Sequence, residues 1–329
     1  MRVLITGIKG FLGSNLARWL ANAGHDVGGL DLPEPETRAW EALFEEKDRG
    51  RRLTFPLYDA DVSRHAEVQR AFDAFKPDVV VHLAAVSTMQ VAQQEPMRVW
   101  RTNVMGTAIV LELCRARNLP LVCASSDKSY GSGHPFPFVE DQTPLRPRYP
   151  YDVSKACQDL MALAYYNAYG LPTVVTRACN YYGPADLHWN RLVPRTFRAA
   201  HRDEPPVLYE GMEDVRREWI HVEDAAHAYE VLAARLIERP EDVAGEAFNI
   251  GSGEAVSNRE MVTFLLQAAD RKDLRPGVQP AGFQELGDES LDSGKIRALG
   301  WEPTTPLGRG LWETWMWYAS YFGREGEAR

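Results

Sequence analysis

The sequence has few cysteines, and none of them are grouped. Its 329 residues include four, at positions 114, 123, 157 and 179, and no Cys-x-x-Cys pair occurs. This spacing argues against a zinc site or a disulfide scaffold, and it favours a reducing compartment, so we expect a cytoplasmic protein. The eight histidines also lack the spacing of metal ligands, and we therefore expect no metal site.

Long apolar runs and an excess of basic charge are missing as well. No stretch approaches the roughly 18 consecutive apolar residues of a membrane-spanning helix. Lys and Arg number 37 against 46 Asp and Glu, which gives a net charge of −9. This balance disfavours general nucleic-acid binding but does not exclude one small anionic ligand in a local basic pocket. We expect no signal peptide, because residues 1–7 lead directly into a strand-like segment.

Short apolar runs alternate with longer helical patterns in the first half of the sequence. The apolar runs cover residues 3–5, 27–31, 53–57, 79–83 and 119–124, and the helical patterns cover 11–23, 66–75 and 97–117. This alternation predicts βαβ units with helices on both faces of a parallel sheet. The expected fold class is therefore α/β, with a Rossmann-type, doubly wound parallel sheet.

The sequence changes character after about residue 176. Gly and Pro become more frequent and the strand patterns become isolated, which predicts a smaller α/β domain appended to the first. We expect one domain over residues 1–176, to which the chain returns near 218–250, and a second over 177–329. Aromatic residues at helical spacing in 311–322 indicate core packing rather than a ligand site.

A glycine-rich turn follows the first predicted strand. Gly7, Gly10 and Gly13 stand at every third position where the strand leads into a helix, and Phe11 and Leu12 lie between the last two. Glycine allows a tight turn and a close backbone approach to a pyrophosphate, which would lie on the free N–H groups of the helix. The spacing is Gly-x-x-Gly-x-x-Gly rather than the Gly-x-Gly-x-x-Gly fingerprint. Its context therefore decides whether it indicates dinucleotide binding.

Asp31 supplies that context, because it ends the second predicted strand about twenty residues later, where a carboxylate binds the adenosine ribose hydroxyls. A turn or cap aspartate is the alternative. Glu34 and Glu36 follow, and their charge would repel a ribose 2′-phosphate, so the expected cofactor is NAD rather than NADP. Further residues expected around the cofactor are Asp61, Val62, Leu83, Ala84, Ala85 and Asn103.

Motifs along almost the whole chain resemble the extended short-chain dehydrogenase/reductase family of sugar-nucleotide epimerases and dehydratases. They are Thr6-Gly7-x-x-Gly10-x-x-Gly13, His82-Leu83-Ala84-Ala85, Asn103-Val104-x-Gly106-Thr107, Tyr151-x-x-x-Lys155, Asn249-Ile250-Gly251 and Leu299-Gly300-Trp301. The resemblance implies that the first domain binds NAD and the second a nucleotide-diphosphate sugar. It also implies a homodimer that packs through helices near Asn103 and Tyr151.

Tyr151 and Lys155 stand four residues apart and so share one face of a helix. An ammonium beside a phenol favours the phenolate, and we expect the pKa of Tyr151 to fall toward neutrality. The phenolate could then take the proton of a sugar hydroxyl while NAD takes the hydride from the same carbon. Ser126 would hydrogen-bond the reacting oxygen. The resemblance implies that Tyr151 and Lys155 also contact the cofactor; alone, the pair could be a chance surface pattern.

Asp127 and Lys128 follow Ser126 and bear on which reaction is catalysed. A 4-epimerase needs no further acid and base, whereas a 4,6-dehydratase must also lose water across C5 and C6. The pair resembles that of the CDP-glucose 4,6-dehydratase branch, which implies that Asp127 protonates the departing C6 hydroxyl and Lys128 removes the C5 proton. Lys128 would need a depressed pKa to do so. Both side chains can act only if the backbone leaves strand geometry, since neighbours in a strand face opposite ways.

Five residues of the second half are candidates for substrate binding. Asn180 resembles an asparagine that contacts the substrate diphosphate, and Arg217 occupies the family's phosphate-binding position. Arg191 is a second candidate cation, although a surface ion pair is an equally good interpretation. Val207 and Tyr209 lie where the family holds the nucleotide base.

The sequence thus predicts an NAD-dependent nucleotide-sugar 4,6-dehydratase with a CDP-glucose-like substrate. The first alternative is a nucleotide-sugar 4-epimerase, which shares every residue except the need for Asp127 and Lys128. An alternative of another class is a dinucleotide-sensing binding protein without turnover. The set of Ser126, Tyr151 and Lys155 argues against a sensor, which has no use for a tuned phenol.

Overall fold

The computed structural model describes residues 1–35, 37–44, 53–281 and 287–327. Within these ranges the strands are β1 (Arg2–Thr6), β2 (Asp26–Asp31), β3 (Leu57–Asp59), β4 (Val79–His82), β5 (Leu121–Ala124), β6 (Thr173–Ala178), β7 (Asn180–Tyr182), β8 (Val207–Tyr209), β9 (Arg216–His221), β10 (Glu246–Ile250), β11 (Ala255–Ser257) and β12 (Gly277–Gln279). The α-helices are α1 (Phe11–Asn22), α2 (Ala39–Phe44), α3 (His65–Phe75), α4 (Met89–Gln94), α5 (Pro96–Val99), α6 (Gly106–Arg117), α7 (Pro150–Tyr169), α8 (Leu192–His201), α9 (Val222–Glu238), α10 (Asn258–Ala268), α11 (Gly294–Arg297) and α12 (Leu307–Glu327). None of the helices described is both long and apolar enough to cross a bilayer.

The main sheet has seven parallel strands in the order β3-β2-β1-β4-β5-β6-β10. The direction of strand addition reverses between β1 and β4. In open α/β sheets ligands bind at the carboxyl ends of the strands beside such a reversal. This arrangement confirms the predicted Rossmann-type α/β class and indicates where the functional site should lie.

Strand β1 shows why helices cover both faces of the sheet. Val3 and Ile5 point to one face, where they pack with Leu16 of α1 and with helix α9. Leu4 points to the other face and belongs to a cluster with residues of α3, α6 and α7. Alternate side chains of a strand point in opposite directions, so a strand covered on both faces is apolar throughout.

A second region is built from short strands outside the main sheet. Strands β7, β9 and β11 form one small sheet, and β8 pairs with β12 in another. Strand β10 and helix α9, by contrast, belong to the main sheet and its covering layer. The chain therefore passes from the main sheet into the second region and back. The domain boundary at residue 176 remains a prediction.

The aromatic stripe near the C-terminus lies on helix α12. Leu311 and Tyr318 are fully buried, and the ring centroid of Tyr318 lies 5.7 Å from that of Phe322. All three residues belong to a core cluster with Phe197 of α8. The predicted core packing is confirmed for these residues, whereas Trp312 on the same helix is exposed.

Two predicted elements differ from the structure. The strand predicted over 53–57 begins only at Leu57, because Pro56 has no backbone N–H to donate to a neighbouring strand. The single helix predicted over 97–117 is divided into α5, a π-helical turn over Trp100–Met105, and α6. Such turns add a residue to a helix and shift the direction of the side chains that follow.

Candidate active site

A cavity of about 1180 Å³ lies at the carboxyl ends of the main strands and extends to β8 and β9. Ligand pockets usually measure roughly 300–1,000 Å³, so this cavity has room for more than one small molecule. The predicted site residues that line it are Gly7, Gly10, Phe11, Leu12, Gly13, Asp31, Asp61, Val62, Leu83, Ala84, Ala85, Ser126, Asp127, Lys128, Tyr151, Lys155, Asn180, Arg191, Tyr209 and Arg217. Asn103 and Val207 are not among the residues that line it.

The glycine turn leaves no room for side chains. Gly7 has a φ of +75°, and a Cβ there would lie 2.8 Å from the backbone N of Ala84. A Cβ on Gly13 would lie 2.2 Å from the carbonyl oxygen of Gly7. Gly10 precedes α1 without a side-chain cap, so the N–H groups of the first helical turn are available at the cavity. This cradle fits a pyrophosphate.

Asp31 lies at the end of β2 with its carboxylate fixed by two backbone groups. Its Oδ2 accepts from the N–H of Lys9 at 2.7 Å, and its Oδ1 accepts from the N–H of Leu32 at 2.8 Å. Burial raises the pKa of Asp31 above its ordinary value. A carboxylate held in this way at the cavity fits the ribose hydroxyls of NAD. Glu34 is exposed and does not line the cavity, and Glu36 lies outside the described residues.

The loop after β3 completes the part of the cavity where the cofactor is expected. The Oδ1 of Asp61 accepts hydrogen bonds from the N–H and the hydroxyl of Ser63, at 2.9 and 2.7 Å, which fixes this turn after β3. Val62 packs so closely on α6 that a Cβ on Gly106 would lie 2.7 Å from its Cγ1. Gly106 therefore allows this loop to approach the helix that lies behind the cavity.

Asn103 lies behind the cavity, in the π-helical turn, and is fully buried. Its Oδ1 accepts from the N–H of Val86 at 2.7 Å, and its Nδ2 donates to the carbonyl of Val86 at 3.2 Å and to the hydroxyl of Ser154 at 2.8 Å. The side chain thus links the loop after β4 to the helix that carries Tyr151. Both polar atoms of its amide are bonded to protein and Asn103 does not line the cavity, and its contact with the cofactor stays a prediction.

Ser126, Asp127 and Lys128 follow β5, where the chain turns into a 3₁₀ helix over Asp127–Tyr130. Successive side chains in such a turn are about 120° apart rather than on opposite faces, so both charged residues can line the cavity. The hydroxyl of Ser126 donates to Oδ1 of Asp127 at 2.9 Å and accepts from the N–H of Lys128 at 3.3 Å. The condition that the backbone must leave strand geometry is met.

Tyr151 does not have the lowered pKa that the sequence predicted. Desolvation and the negative charge of Asp127 raise the pKa of Tyr151 above its ordinary value, and Arg191 and a hydrogen bond with Ser126 offset this only in part. Lys155 donates to the carbonyl oxygen of Ala124 at 2.9 Å, and burial lowers the pKa of Lys155 to about 8. The prediction of a lowered pKa for Tyr151 is therefore wrong when only the protein's own side chains are present. Helical spacing places Lys155 near Tyr151 but does not account for desolvation of the phenol.

A carboxylate that the sequence did not reveal joins two of the predicted residues. Glu289 is 2% exposed, and its Oε2 accepts a hydrogen bond from Nζ of Lys128 and lies 3.0 Å from Nε of Arg217. Burial, together with the charge of Glu289, raises the pKa of Asp127 above its ordinary value. No spacing pattern links Glu289 to either partner.

The remaining substrate candidates lie around the second region of the cavity. Asn180 on β7 donates to the carbonyl of Glu218 at 3.3 Å, beside Arg217 on β9. Arg191 pairs with Asp186 at 3.2 Å and also donates to the hydroxyl of Ser87 at 3.2 Å, so it spans from one region to the other.

The expected binding site of the nucleotide base lacks one predicted residue in the structure and has one that was not predicted. Tyr209 lines the cavity together with Leu208, whereas Val207 does not. The guanidinium carbon of Arg195 lies 4.5 Å from the ring centroid of Tyr209. No signal in the sequence indicated Arg195. Among the residues described, no group of three His, Cys, Asp or Glu could hold a metal ion.

Comparisons with known proteins agree with this geometry. The sequence model of the "NAD dependent epimerase/dehydratase family" matches residues 3–251. The dTDP-glucose 4,6-dehydratase of Salmonella typhimurium strain LT2 is 30% identical, over 97% of this chain and 92% of that protein. The dTDP-glucose 4,6-dehydratase DesIV of Streptomyces venezuelae, solved with NAD, matches with a TM-score of 0.84 and 30% identity over 98% of both chains. The UDP-glucose 4-epimerase of Thermus thermophilus, also solved with NAD, matches with a TM-score of 0.82 and 30% identity, over 97% of this chain and 99% of that one.

Proposed function

We propose that this chain, which belongs to the NAD dependent epimerase/dehydratase family, is a nucleotide-sugar 4,6-dehydratase. Family membership confirms that it is an enzyme of the sugar-nucleotide dehydratase and epimerase group and that its cofactor is NAD. The observation that supports dehydration is the placement of Asp127 and Lys128. Both are buried and both line the cavity that also holds Ser126 and Tyr151.

The cofactor end of the cavity supplies binding and orientation. The N–H groups at the start of α1 would hold the pyrophosphate and Asp31 the adenosine ribose, while Lys155 would orient the nicotinamide ribose. NAD held by these groups would supply the hydride chemistry of the reaction, which consists of oxidation at C4 of the sugar and return of the hydride at C6.

Tyr151 and Ser126 handle the proton of the C4 hydroxyl in this proposal. Oη of Tyr151 takes the proton, and the hydroxyl of Ser126 orients the reacting oxygen. Because the side chains alone leave the pKa of Tyr151 above its ordinary value, its phenolate needs a further positive charge nearby. The oxidised cofactor carries such a charge, so we expect the phenolate to form only when NAD⁺ is bound.

Asp127 and Lys128 would carry out the loss of water. A proton that passes from the ammonium of Lys128 to the carboxylate of Asp127 gives both groups the form that the reaction needs. The neutral amine then takes the C5 proton, and the carboxylic acid protonates the departing C6 hydroxyl. The raised pKa of Asp127 supports this assignment, because it favours the protonated acid.

A 4-epimerase is the second candidate, and the similarity to the Thermus epimerase supports it. Incubation with dTDP-, UDP-, CDP- and GDP-glucose, followed by mass spectrometry, distinguishes the two. A product lighter by one water with a keto group supports dehydration, and an isomer of unchanged mass supports epimerisation. Binding of NAD without turnover of any sugar nucleotide would favour the sensor.

The nucleotide of the substrate is open between two proposals. The Asp127-Lys128 pair supports a CDP-glucose-like substrate, whereas the relatives from Salmonella typhimurium and Streptomyces griseus are named as dTDP-glucose 4,6-dehydratases. We propose a nucleoside-diphosphate glucose and test the base by competition. The substrate with the largest kcat/KM in an equimolar mixture of the four identifies it.

We also propose a homodimer through the helices behind the site. Met97, Met105 and Leu160 are each more than half exposed and lie on α5, the π-helical turn and α7. Exposed apolar side chains on neighbouring helices are typical of an interface. Sedimentation equilibrium at micromolar concentration tests this, and a monomer would contradict it. The cytoplasmic location remains a prediction.

A further inference from the structure

The proposed reaction leaves one buried carboxylate without a role. Glu289 touches the proposed C5 base and the proposed diphosphate ligand through the same oxygen, Oε2, which contacts Nζ of Lys128 and Nε of Arg217. All three side chains are buried. Charges this far from water interact strongly, so a shift of one affects the other two.

The chain fixes Glu289 through its backbone. The N–H of Glu289 donates to the carbonyl of Arg216 at 3.1 Å, and Oδ1 of Asp288 accepts from the N–H of Arg216 at 2.8 Å. On the other side, the N–H of Phe138 donates to the carbonyl of Ser290 at 2.8 Å. The carboxylate is therefore held between β9 and the segment that follows the catalytic turn, which is not the geometry of a chance pair.

Carboxylates are numerous around this point. Among the described residues, three buried carboxylates, Asp127, Asp152 and Glu289, lie near the buried cations Lys128 and Arg217. The charge of Glu289 contributes to raising the pKa of Asp127 and that of Asp152, the latter to about 6. Oε1 of Glu289 has no hydrogen-bond partner among the described residues, a state that usually costs stability. A group kept at such a cost is a candidate for a functional role.

We propose that Glu289 is a positioning residue of the dehydration step, which fixes the amine of Lys128 and the guanidinium of Arg217 at one point. This inference rests on the proposed dehydratase function. Glu289 offsets part of the positive charge that Arg217 presents to the diphosphate, and it holds Lys128 where the C5 proton would be removed. Removing its charge has a different effect on each partner. The diphosphate binds more tightly because the charge of Arg217 is no longer offset, and proton removal slows because a neutral amide holds the amine of Lys128 in place less firmly than a carboxylate does.

Glu289→Gln tests this, because glutamine keeps the shape and loses the charge. The first measurement is calorimetric binding of the nucleoside diphosphate (dTDP, UDP, CDP or GDP) that corresponds to the active substrate. We expect roughly 3- to 10-fold tighter binding. The second is incorporation of deuterium at C5 during turnover in D₂O, which we expect to slow about 100-fold. C4 oxidation, measured as the absorbance of reduced cofactor, should stay within about threefold.

A merely structural role predicts a different pattern. Weaker nucleotide binding with parallel losses of C4 oxidation and C5 exchange would overturn the proposal, and so would no change at all. Glu140→Gln is the matched control: Glu140 is also a buried glutamate, its Oε1 accepts from the N–H of Asn249 at 2.7 Å, and it does not line the cavity. Glutamine keeps that acceptor, so all three measurements should equal those of the wild type.

Glu289→Asp keeps the charge on a shorter side chain. We expect nucleotide affinity within about threefold of wild type and C5 exchange restored to within about 10-fold. If Glu289→Gln does not fold, this variant carries the test: slower exchange at unchanged affinity and C4 oxidation supports the proposal, and parallel losses overturn it.

The two proposals fail in distinguishable ways. If the wild type exchanges no C5 hydrogen with any of the four nucleotide sugars, the dehydratase function fails. The affinity of Glu289→Gln for the nucleoside diphosphates then still tests whether Glu289 offsets the charge of Arg217. An unchanged affinity would overturn that part of the proposal as well.

Discussion

Two buried ion clusters among the described residues are built in different ways. Arg177 meets Asp159 through two parallel contacts, of 2.7 and 3.0 Å, and its remaining nitrogen donates to the hydroxyl of Tyr130 and the carbonyl of Glu140. In the other cluster, Lys128 and Arg217 share one oxygen of Glu289. The first cluster satisfies its groups and lies away from the cavity lining, whereas the second leaves an acceptor unused and touches the cavity. Complete pairing indicates a structural role, and incomplete pairing indicates groups that meet a ligand.

Among the predicted effects, the loss of the amine of Lys128 from the cluster that lines the cavity should reduce activity most. Lys128→Met should slow C5 deuterium exchange and product formation by roughly 10²- to 10⁴-fold, because the proposed base is absent. C4 oxidation should remain detectable as reduced cofactor, measured by stopped-flow absorbance with the active nucleotide sugar. Equal loss of both steps would contradict the role of Lys128 as the C5 base.

A change in the cluster of Arg177 and Asp159 should lower the stability of the fold but leave the catalytic rate almost unchanged. Arg177→Met leaves the carboxylate of Asp159 buried without its cation, and we expect the free energy of unfolding to fall by about 3–5 kcal/mol. Urea unfolding measures this, and kcat per folded molecule should change little. A large loss of kcat in a stable variant would remove the contrast between the two clusters.

Lys155 extends the comparison to a buried cation whose hydrogen bond goes to a neutral carbonyl. The pKa of Lys155 falls from 10.5 in the unfolded chain to about 8 in the folded protein. As the pH falls from 10.5 to 8, the unfolded state takes up a proton that the folded state does not, so the free energy of unfolding decreases. Below pH 8 the decrease is complete and the free energy of unfolding stays at its lower value. Wild type relative to Lys155→Met should therefore be about 3 kcal/mol less stable at pH 8 than at pH 10.5. Paired urea titrations at both pH values test this; a difference independent of pH would show that Lys155 is not desolvated.

An exposed ion pair should show the smallest effect. Arg259 pairs with Asp214 at 3.1 Å, and both side chains are more than half exposed. Solvent screens such pairs, so Arg259→Met should leave the thermal midpoint and kcat unchanged. A clear drop in the thermal midpoint, measured by calorimetry, would mean that burial does not distinguish the two buried ion clusters from exposed ion pairs in their contribution to stability.

Local patterns were enough to predict the fold class and much of the cavity. The spacing of Gly7, Gly10 and Gly13 reflects turn geometry, and the spacing of Tyr151 and Lys155 reflects one helical turn. Parallel strands also bring their carboxyl ends together, so residues that follow them could be placed in one site without knowledge of the side chains.

Long-range contacts and desolvation could not be predicted in this way. Glu289 is 161 residues from Lys128, and no periodicity relates them. The pKa of Tyr151 depends on how deeply its phenol is buried and on Asp127, neither of which follows from a four-residue spacing. The hydrogen bonds of Asn103 to Val86 and Ser154 also join residues 17 and 51 positions away, and no local pattern indicated them.

The distance in sequence between Lys128 and Glu289 also matters while the chain is being synthesised. The glycine turn and β1 to β5 emerge first, and domains fold as they leave the ribosome. The carboxylate that meets Lys128 emerges 161 residues after it, when most of the chain has been made. The charge cluster at the catalytic turn therefore cannot form until residue 289 has been synthesised, which is after the last strand of the main sheet has been made.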